Sequence, residues 1–231
     1  MSERIAALAG KVDAQLKGSV RRLPSLPHEL AYEAAAADLL GVCRSLRDTA
    51  ELGFEMLMDL AGIDYLHHGQ DDWQTSSATR SGFSRARSPE GGAPDPAAAG
   101  RFAVIYNLLS ITRNQRLRLK VACPDSAEPV LDSVVGIWAS ANWFEREAFD
   151  LFGILFRGHP DLRRILTDYG FIGHPFRKDF PLSGNVEVHY DPDRRRVVYQ
   201  PVSITPRVLV PKVIRHDHRY EPALRDGQGS R

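Results

Sequence analysis

Residues 101–110 read RFAVIYNLLS, and residues 116–121 read RLRLKV after a short polar turn. The first stretch is an apolar run that contains Val, Ile and Tyr, residue types that favour strands. In the second stretch three apolar side chains alternate with three basic ones, as expected of a strand with one buried face and one polar face. The two stretches therefore predict a β-hairpin.

The polar face of the second strand is basic, because it carries Arg116, Arg118 and Lys120. Such a stripe could bind phosphates in a nucleic-acid-binding module, or it could be an ordinary solvated strand face. Aromatic platforms for bases do not interleave with it, and the formal net charge of the whole chain is only +1. The sequence therefore favours the solvated face.

The residues before the hairpin predict alternating helices and strands. Residues 1–20 have the pattern of a short amphipathic helix, and residues 29–34 that of a short strand. Residues 36–47 place apolar side chains at helical spacing, and residues 54–65 are an apolar stretch suited to a strand. These elements predict an α/β (α+β) fold, namely a compact mixed sheet with an antiparallel hairpin, packed by helices.

The amino-acid composition changes in the residues after the hairpin. Residues 129–138 are predicted to form a short helix, and a second helix follows over the stretch WFEREAFDLFG at 143–153. Residues 158–211 are rich in Gly, Pro, Arg and Asp, which is typical of a segment laid out along another surface. The predicted organisation is an N-terminal helix or tail (1–28), a globular α/β domain (29–157) with a flexible insertion (67–100), an extended partner-binding segment (158–220) and a frayed tail (221–231).

The second helix carries four charged side chains in two directions. On a helical wheel Arg146, Glu147 and Asp150 share one polar face, whereas Glu145 lies on the apolar side, roughly 160° from Glu147. Glu145 and Glu147 therefore cannot form the paired carboxylates of a hydrolase. A buried carboxylate without a counter-charge is costly, so Glu145 is expected to meet a cation in a partly buried network that pins the following segment to this helix. The alternative is a catalytic carboxylate tuned by burial. The candidate cations are Arg163, Arg164, Arg177 and Lys178.

Other chemistries have little support in the sequence. An independent enzyme could use Glu147 and Asp150, but nucleotide-binding glycine loops, a nucleophile elbow and an HExxH motif are all missing. Cys43 and Cys123 are too few to hold an iron–sulfur cluster. Three evenly spaced histidines do not have a metal-ligand spacing, and two of them lie in repeated GHP triplets that predict chain bends.

The chain shows neither the apolar core of a signal peptide nor an apolar run of membrane-spanning length. With two distant cysteines, this pattern indicates a soluble protein of a reducing compartment that could still be a peripheral part of a membrane assembly.

Three long motifs resemble a known family. They are EREAFDLFG at 145–153, GHPDLRRIL at 158–166 and GHPFRKDFPL at 173–182, and the likeness extends over most of residues 30–200. They are similar to the signature of the 30 kDa subunit of respiratory complex I, the proton-pumping NADH–quinone oxidoreductase. The long insertion and both tails depart from the pattern.

The resemblance implies a protein that supports assembly and the quinone-site module. It implies no cofactor in this chain, with FMN and the iron–sulfur clusters in other subunits. It implies packing against the 49 kDa subunit and other peripheral-arm subunits, with no nucleic acid and only indirect membrane contact. The expected location is the cytoplasmic side of the inner membrane.

The family motifs map onto positions for which we predict structural or interface roles rather than catalysis. These positions are Glu145, Arg146, Glu147, Asp150, His159, Arg163, Arg164, His174, Arg177, Lys178 and Asp179.

Overall fold

The computed structural model describes residues 3–66, 72–73, 85–86 and 100–204. Its elements follow one another in a mixed α/β order that agrees with the predicted fold class. In chain order they are α1 (Glu3–Gln15), β1 (Val20–Arg22), β2 (Ala31–Ala34), a 3-10 turn (Ala36–Asp38), α2 (Leu39–Asp48), β3 (Met56–Asp64), β4 (Asp72–Trp73), β5 (Arg85–Ala86), β6 (Phe102–Ser110), β7 (Gln115–Ala122), β8 (Val130–Asp132), α3 (Ala141–Phe152), β9 (Leu155–Arg157), β10 (Val186–Asp191) and β11 (Arg196–Pro201).

The main sheet has five strands in the order β1-β2-β7-β6-β3. All its neighbouring pairs are antiparallel except β2 and β7, which run parallel. The predicted hairpin is confirmed as β6–β7, which pair from Ala103 with Ala122 to Ser110 with Gln115. Asn114 takes the left-handed φ of 49° that the connecting turn needs, a conformation that asparagine tolerates.

The helices bury their apolar sides in one core with the sheet. On β6 the inward side chains include Phe102, Val104, Tyr106 and Leu108, so burial alternates as the strand period requires. Helices α1 and α2 contribute to the same hydrophobic cluster. The Tyr32 hydroxyl ties β2 to α1 by donating to the Asp13 carboxylate at 2.6 Å.

The predicted helix over residues 129–138 is wrong. Val130–Asp132 forms strand β8, which pairs in parallel with β9. Its pairing partner comes from the far side of α3, so a pattern local to residues 129–138 could not reveal it. A single helical turn follows, in which the Val134 carbonyl accepts from the amides of Ile137 and Trp138 at 2.8 and 3.0 Å.

The chain divides into two compact units. The first comprises Met1–Tyr65 and Pro96–Phe180, and the second comprises Leu66–Asp95 and Pro181–Arg231. The first unit extends beyond the boundary predicted at residue 157, because the segment up to Phe180 packs onto helix α3. We call residues 158–180 the tail segment.

In the second unit, strands β10 and β11 form an antiparallel hairpin from Val186 with Pro201 to Asp191 with Arg196. A regular hairpin was not predicted within the extended segment. Its apolar side chains at alternate positions of both strands share one face and are exposed: Val186, Val188, Tyr190, Val197 and Tyr199.

Strands β4 and β5 form a two-residue antiparallel bridge inside the predicted insertion. The rest of that insertion up to residue 99 and the predicted frayed tail lie outside the described residues. Within the described parts of the chain, the helices are too short or too polar to cross a membrane.

Candidate functional site: helix α3 and the tail segment

Asp150 is the residue around which the tail segment folds. Its side chain is buried, and its Oδ2 atom accepts hydrogen bonds from the backbone amides of Ile165, Leu166 and Thr167 at 3.0, 2.7 and 3.0 Å. Its Oδ1 atom accepts from the Thr167 hydroxyl at 2.5 Å and from Arg164 Nη1 at 3.3 Å. One carboxylate therefore holds four consecutive residues of the tail segment, which are residues 164–167.

The environment of Asp150 stabilises its ionised form. Burial alone would raise the pKa of this carboxyl group. The hydrogen bonds from the Thr167 side chain and from the three backbone amides outweigh burial and lower the pKa to about 2. Asp150 is therefore a permanent anion near neutral pH.

The C-terminal end of α3 is capped by the tail segment. The last carbonyls of a helix have no partner within the helix, and cationic or N–H donors are favoured there. The tail segment supplies three such donors: His174 Nδ1 to the Asp150 carbonyl at 2.9 Å, the Phe176 amide to the Leu151 carbonyl at 3.0 Å, and Arg177 Nε to the Phe152 carbonyl at 2.6 Å.

Gly153 ends the helix and permits this close packing. It has a left-handed φ of 73°, and its amide donates to the Phe149 carbonyl at 2.8 Å. A Cβ atom at this position would lie 2.5 Å from Arg177 Nη2 and 2.6 Å from His174 Nε2. The residue therefore has to be glycine both for the turn and for the approach of the two side chains.

A second anchor joins the tail segment to the main sheet. Arg101 donates two hydrogen bonds to the Asp64 carboxylate, at 2.9 and 2.8 Å, and a third to Asp179 at 2.9 Å. The Lys178 amide donates to the same Asp64 carboxylate at 2.9 Å. The sequence patterns did not lead us to Asp64 or Arg101; a charged pair flanking two apolar strands was the available signal.

Two arginines enclose the aromatic ring beside this anchor. The guanidinium carbon of Arg101 lies 4.6 Å from the Phe102 ring centroid, and that of Arg177 lies 5.0 Å from it. Burial lowers the pKa of Arg177, while Asp179 and Asp64 oppose that effect. Arg164 makes a similar contact with the Phe171 ring at 6.0 Å and donates to the Gly173 carbonyl at 2.9 Å.

The expectation that Glu145 meets a cation is wrong for the described residues. Its Oε2 atom accepts from the Ser133 hydroxyl at 2.6 Å and its Oε1 atom accepts from the Val134 amide at 2.7 Å. Arginine and lysine side chains in residues 3–66 and 100–204 form no ion pair with it. Burial raises the pKa of this carboxyl group to about 7, despite those two hydrogen bonds. The helical wheel gave the correct direction, but the neighbours on that side belong to the β8 turn and not to the tail segment.

The tail segment covers part of the predicted polar face of α3 and leaves the rest exposed. Asp150 and Arg146 are covered, whereas Glu147 stays exposed. Arg146 Nε donates to the Arg163 carbonyl at 3.2 Å, and its guanidinium carbon lies 4.7 Å from the Trp143 ring centroid. The Trp143 side chain is itself 63% exposed.

The remaining motif residues fix the turns of the tail segment. Both GHP triplets bend the chain as predicted, with φ of 82° at Gly158 and 99° at Gly173. His159 Nε2 lies 3.1 Å from the Asn142 carbonyl, and its Nδ1 accepts from the Asp161 amide at 3.0 Å. Arg163 pairs with Asp161 at 2.9 Å on the surface.

This geometry does not favour an independent enzyme. The Asp150 oxygens are taken up by the tail segment, and Glu147 is exposed, so the two carboxylates share no substrate-sized space. Three cavities of about 520, 480 and 410 Å³ among the described residues are lined by the β1–β2 region and neighbouring strands, not by α3. The described residues also contain no cluster of His, Cys, Asp and Glu suited to a metal ion.

The basic strand face is partly compensated by acidic residues. Arg118 pairs with Glu29 at 3.4 Å, and Lys120 pairs with Glu33 at 3.3 Å. Lys120 also lies 5.0 Å from the Tyr65 ring centroid. Two of the three basic side chains of the stripe are therefore already paired, which weakens it as a phosphate-binding surface.

The tail segment exposes four large apolar side chains. Leu166, Tyr169, Ile172 and Phe176 are all exposed, and Ile172 is 82% exposed. Large exposed apolar side chains that follow one another along a well-anchored segment are typical of a protein contact surface.

Comparison with known proteins identifies relatives over most of the chain. The family model for the respiratory-chain NADH dehydrogenase 30 kDa subunit matches residues 32–186. The chain is 57% identical to the NADH-quinone oxidoreductase C subunit of Halorhodospira halophila, over 83% of each chain. It is 50% identical to the protein of the same name from Xanthomonas euvesicatoria, over 96% of each chain.

A solved structure supports the fold. A chain from the membrane-bound sulfane sulfur reductase, an archaeal respiratory membrane complex, superimposes with a TM-score of 0.52 at 14% identity. The match covers 78% of this chain and 87% of the other. At this identity the likeness establishes a shared architecture only.

Proposed function

Because this chain belongs to the family of the respiratory-chain NADH dehydrogenase 30 kDa subunit, a component of NADH–quinone oxidoreductase (complex I), we propose that its tail segment holds a neighbouring subunit of the peripheral arm. The chain then contributes to electron transfer from NADH to quinone, and to the coupled proton translocation, by assembling the enzyme. An autonomous active site forms no part of this role.

The observation that carries the proposal is the use of the motif residues. The hydrogen bonds of Asp150, His174 and Arg177 join α3 to the tail segment. None of these residues lines a cavity described above. The segment that they fix presents a row of exposed apolar side chains. A rigid segment that exposes large apolar side chains has lost its conformational entropy before binding, which favours tight association.

We propose the 49 kDa subunit as the partner, as the family resemblance implies. The exposed apolar face of the β10–β11 hairpin supports a further contact with a protein, because an isolated two-stranded hairpin is marginally stable in water. The proposed location is the cytoplasmic side of the inner membrane, held there through the complex.

We also propose that FMN and the iron–sulfur clusters are bound by other subunits. Burial raises the pKa of the Cys43 and Cys123 thiols to about 12, so neither is prepared to act as a thiolate ligand. The isolated chain is then expected to be colourless and unable to oxidise NADH.

Co-purification tests the proposed function. A tagged chain should isolate the 49 kDa homologue from detergent-solubilised membranes, and Tyr169→Asp with Ile172→Asp should abolish this by placing charges on the apolar surface. Leu26→Asp is a matched control, because Leu26 is exposed and apolar but lies in the β1–β2 connection. Equal recovery of the 49 kDa homologue with the double variant and the control would refute the proposed docking surface.

A further inference from the structure

We propose that Trp143 and Arg146 form a site for a single carboxylate of the partner protein, an inference that rests on the assembly role proposed above. An aspartate or glutamate of the partner would pair with the Arg146 guanidinium beside the Trp143 ring. The site lies on α3 in the first unit, where the exposed Trp143 ring adjoins the nearly buried Arg146 guanidinium.

Arg146 is a nearly buried cation with an incomplete set of partners. The residue is 7% exposed, and its described hydrogen bond runs from Nε to the Arg163 carbonyl. Within residues 3–66 and 100–204, no carboxylate forms an ion pair with it. A buried charge without a counter-ion is unfavourable, and a partner carboxylate would relieve that cost on binding.

The neighbouring arginines show what a completed pair looks like in this region. Arg164 is paired with Asp150, Arg163 with Asp161, and Arg101 with both Asp64 and Asp179. Arg146 and Arg177 both lack an ion pair with a carboxylate among the described residues, and Arg146 is the more deeply buried of the two.

The geometry suits a planar, bidentate ligand. The bond from Nε fixes one edge of the guanidinium, and the Trp143 ring lies 4.7 Å from the guanidinium carbon. The Nη1 and Nη2 atoms are left for a ligand, and this is the fork that matches the two oxygens of a carboxylate. An exposed tryptophan beside an arginine is also the composition typical of binding hot spots.

The surroundings favour a carboxylate over a phosphate. Glu147 is exposed on the same face of α3, four residues after Trp143, so it repels a doubly charged group more strongly than a singly charged one. The chain as a whole has a formal net charge of only +1, which provides no field for nucleic acid or an anionic membrane.

Binding of the full-length chain to solubilised membranes from a strain that lacks it tests the site. Arg146→Met keeps the apolar stem and removes the charge, so it should weaken association at least tenfold at low salt and flatten its salt dependence. Arg157→Met is the control and should bind like the wild type. Arg157 is exposed, and it already pairs with Asp132 of the same chain at 3.7 Å. Thermal unfolding of each variant reports whether the fold is kept.

A second variant tests the site even if Arg146→Met fails to fold. Arg146→Lys supplies an amine at the same place, and a carbodiimide should join this amine to the partner's carboxylate without a spacer. A cross-link from position 146 to an aspartate or glutamate of the partner is the expected result. Failure to cross-link, in a preparation that still contains the variant bound, would overturn the site.

The outcomes separate this inference from the proposed function. If the wild-type chain does not bind the depleted membranes, the assembly role fails. If the wild type binds and Arg146→Met binds equally well with the same salt dependence, only the carboxylate site fails. Binding to protein-free vesicles of anionic phospholipid that is lost in Arg146→Met would also overturn it, in favour of a lipid phosphate.

Discussion

At the scale of single residues, two carboxylates of one helix show how surroundings decide ionisation. Asp150 and Glu145 are both buried, yet the pKa of Asp150 lies at about 2 and that of Glu145 at about 7. Asp150 accepts hydrogen bonds from three amides, a hydroxyl and Arg164, whereas Glu145 accepts one from an amide and one from a hydroxyl. The two pKa values differ because the two carboxylates accept different numbers of hydrogen bonds, and not because of burial alone.

Glu145 makes the stability of the protein depend on pH. Its folded pKa of about 7 is above the unfolded value of 4.5, so the unfolded chain releases this proton first as pH rises. The contribution of Glu145 to stability is therefore greatest below pH 4.5, falls between pH 4.5 and about 7, and is level above that. The full loss is on the order of 3 kcal/mol.

Glu145→Gln should remove this component, because the amide is nearly isosteric and does not ionise. Its advantage in free energy of unfolding over the wild type should grow between pH 5 and pH 7, as measured by urea denaturation. Glu147→Gln, on the exposed side of the same helix, is the control and should follow the wild type. Parallel pH profiles for Glu145→Gln and the wild type would show that Glu145 stays ionised in the folded protein.

Asp150→Ala should release the tail segment, since three amides and two side chains lose their common acceptor. We expect a loss of about 3–5 kcal/mol in the free energy of unfolding. Trypsin should also cut faster after Arg163 and Arg164, and mass spectrometry of the fragments would detect this. Asp168→Ala, which removes an exposed acid from the same segment, should change neither quantity by much. Unchanged cleavage in Asp150→Ala would show that the segment is held by other contacts.

The sequence located these residues but not their partners. The motif identified the charged positions, and the helical wheel separated Glu145 from the rest. The partner of Glu145 lies on the turn after β8, and the anchor formed by Asp64 and Arg101 joins strands far apart in the sequence. Such contacts depend on the tertiary arrangement, which single-helix geometry does not contain.

At the scale of secondary-structure elements, α3 and the tail segment stabilise each other. The tail segment caps the helix, and the helix end fixes the tail segment. The alternation in β7 and the helical spacing in α2 were sufficient to predict those elements. The predicted helix at residues 129–138 was wrong because β8 depends on β9, which lies beyond α3.

The packing of α3 on strand β3 requires glycine at position 62. A Cβ atom on Gly62 would lie 2.7 Å from Cδ2 of Phe152, so one of the two elements would have to move. Gly62→Ala should therefore lower the free energy of unfolding by about 1–3 kcal/mol. Chemical denaturation measures this change.

Two variants make the test of Gly62 specific. Gly41→Ala, in α2 with open space around it, should stabilise the protein by up to about 1 kcal/mol, since alanine is the better helix former. Phe152→Leu combined with Gly62→Ala should cost less than the sum of the two single changes. Strict additivity would show that the 62–152 contact does not limit the packing.

At the scale of the whole molecule, the described parts combine a well-packed α/β unit with surfaces that have no partner among the described residues. These surfaces are the exposed apolar residues of the tail segment and of the β10–β11 hairpin. Composition alone predicted an extended C-terminal region, and the resemblance to the 30 kDa subunit supplied a reason for it. The sequence predicted that basic residues of the tail segment meet α3 at Glu145, but it did not reveal that the contacts lie at Asp150 and Asp64, because that depends on how these two residues are placed in space.

The central claim is that the chain acts as part of an assembly and not as an enzyme by itself. A native gel of solubilised membranes, stained for NADH oxidation and probed for the tagged chain, tests it most directly. We predict that the chain migrates in the high-mass band that oxidises NADH and leaves that band in a strain without the 49 kDa homologue. A chain that migrates alone while the active band forms without it would contradict the account.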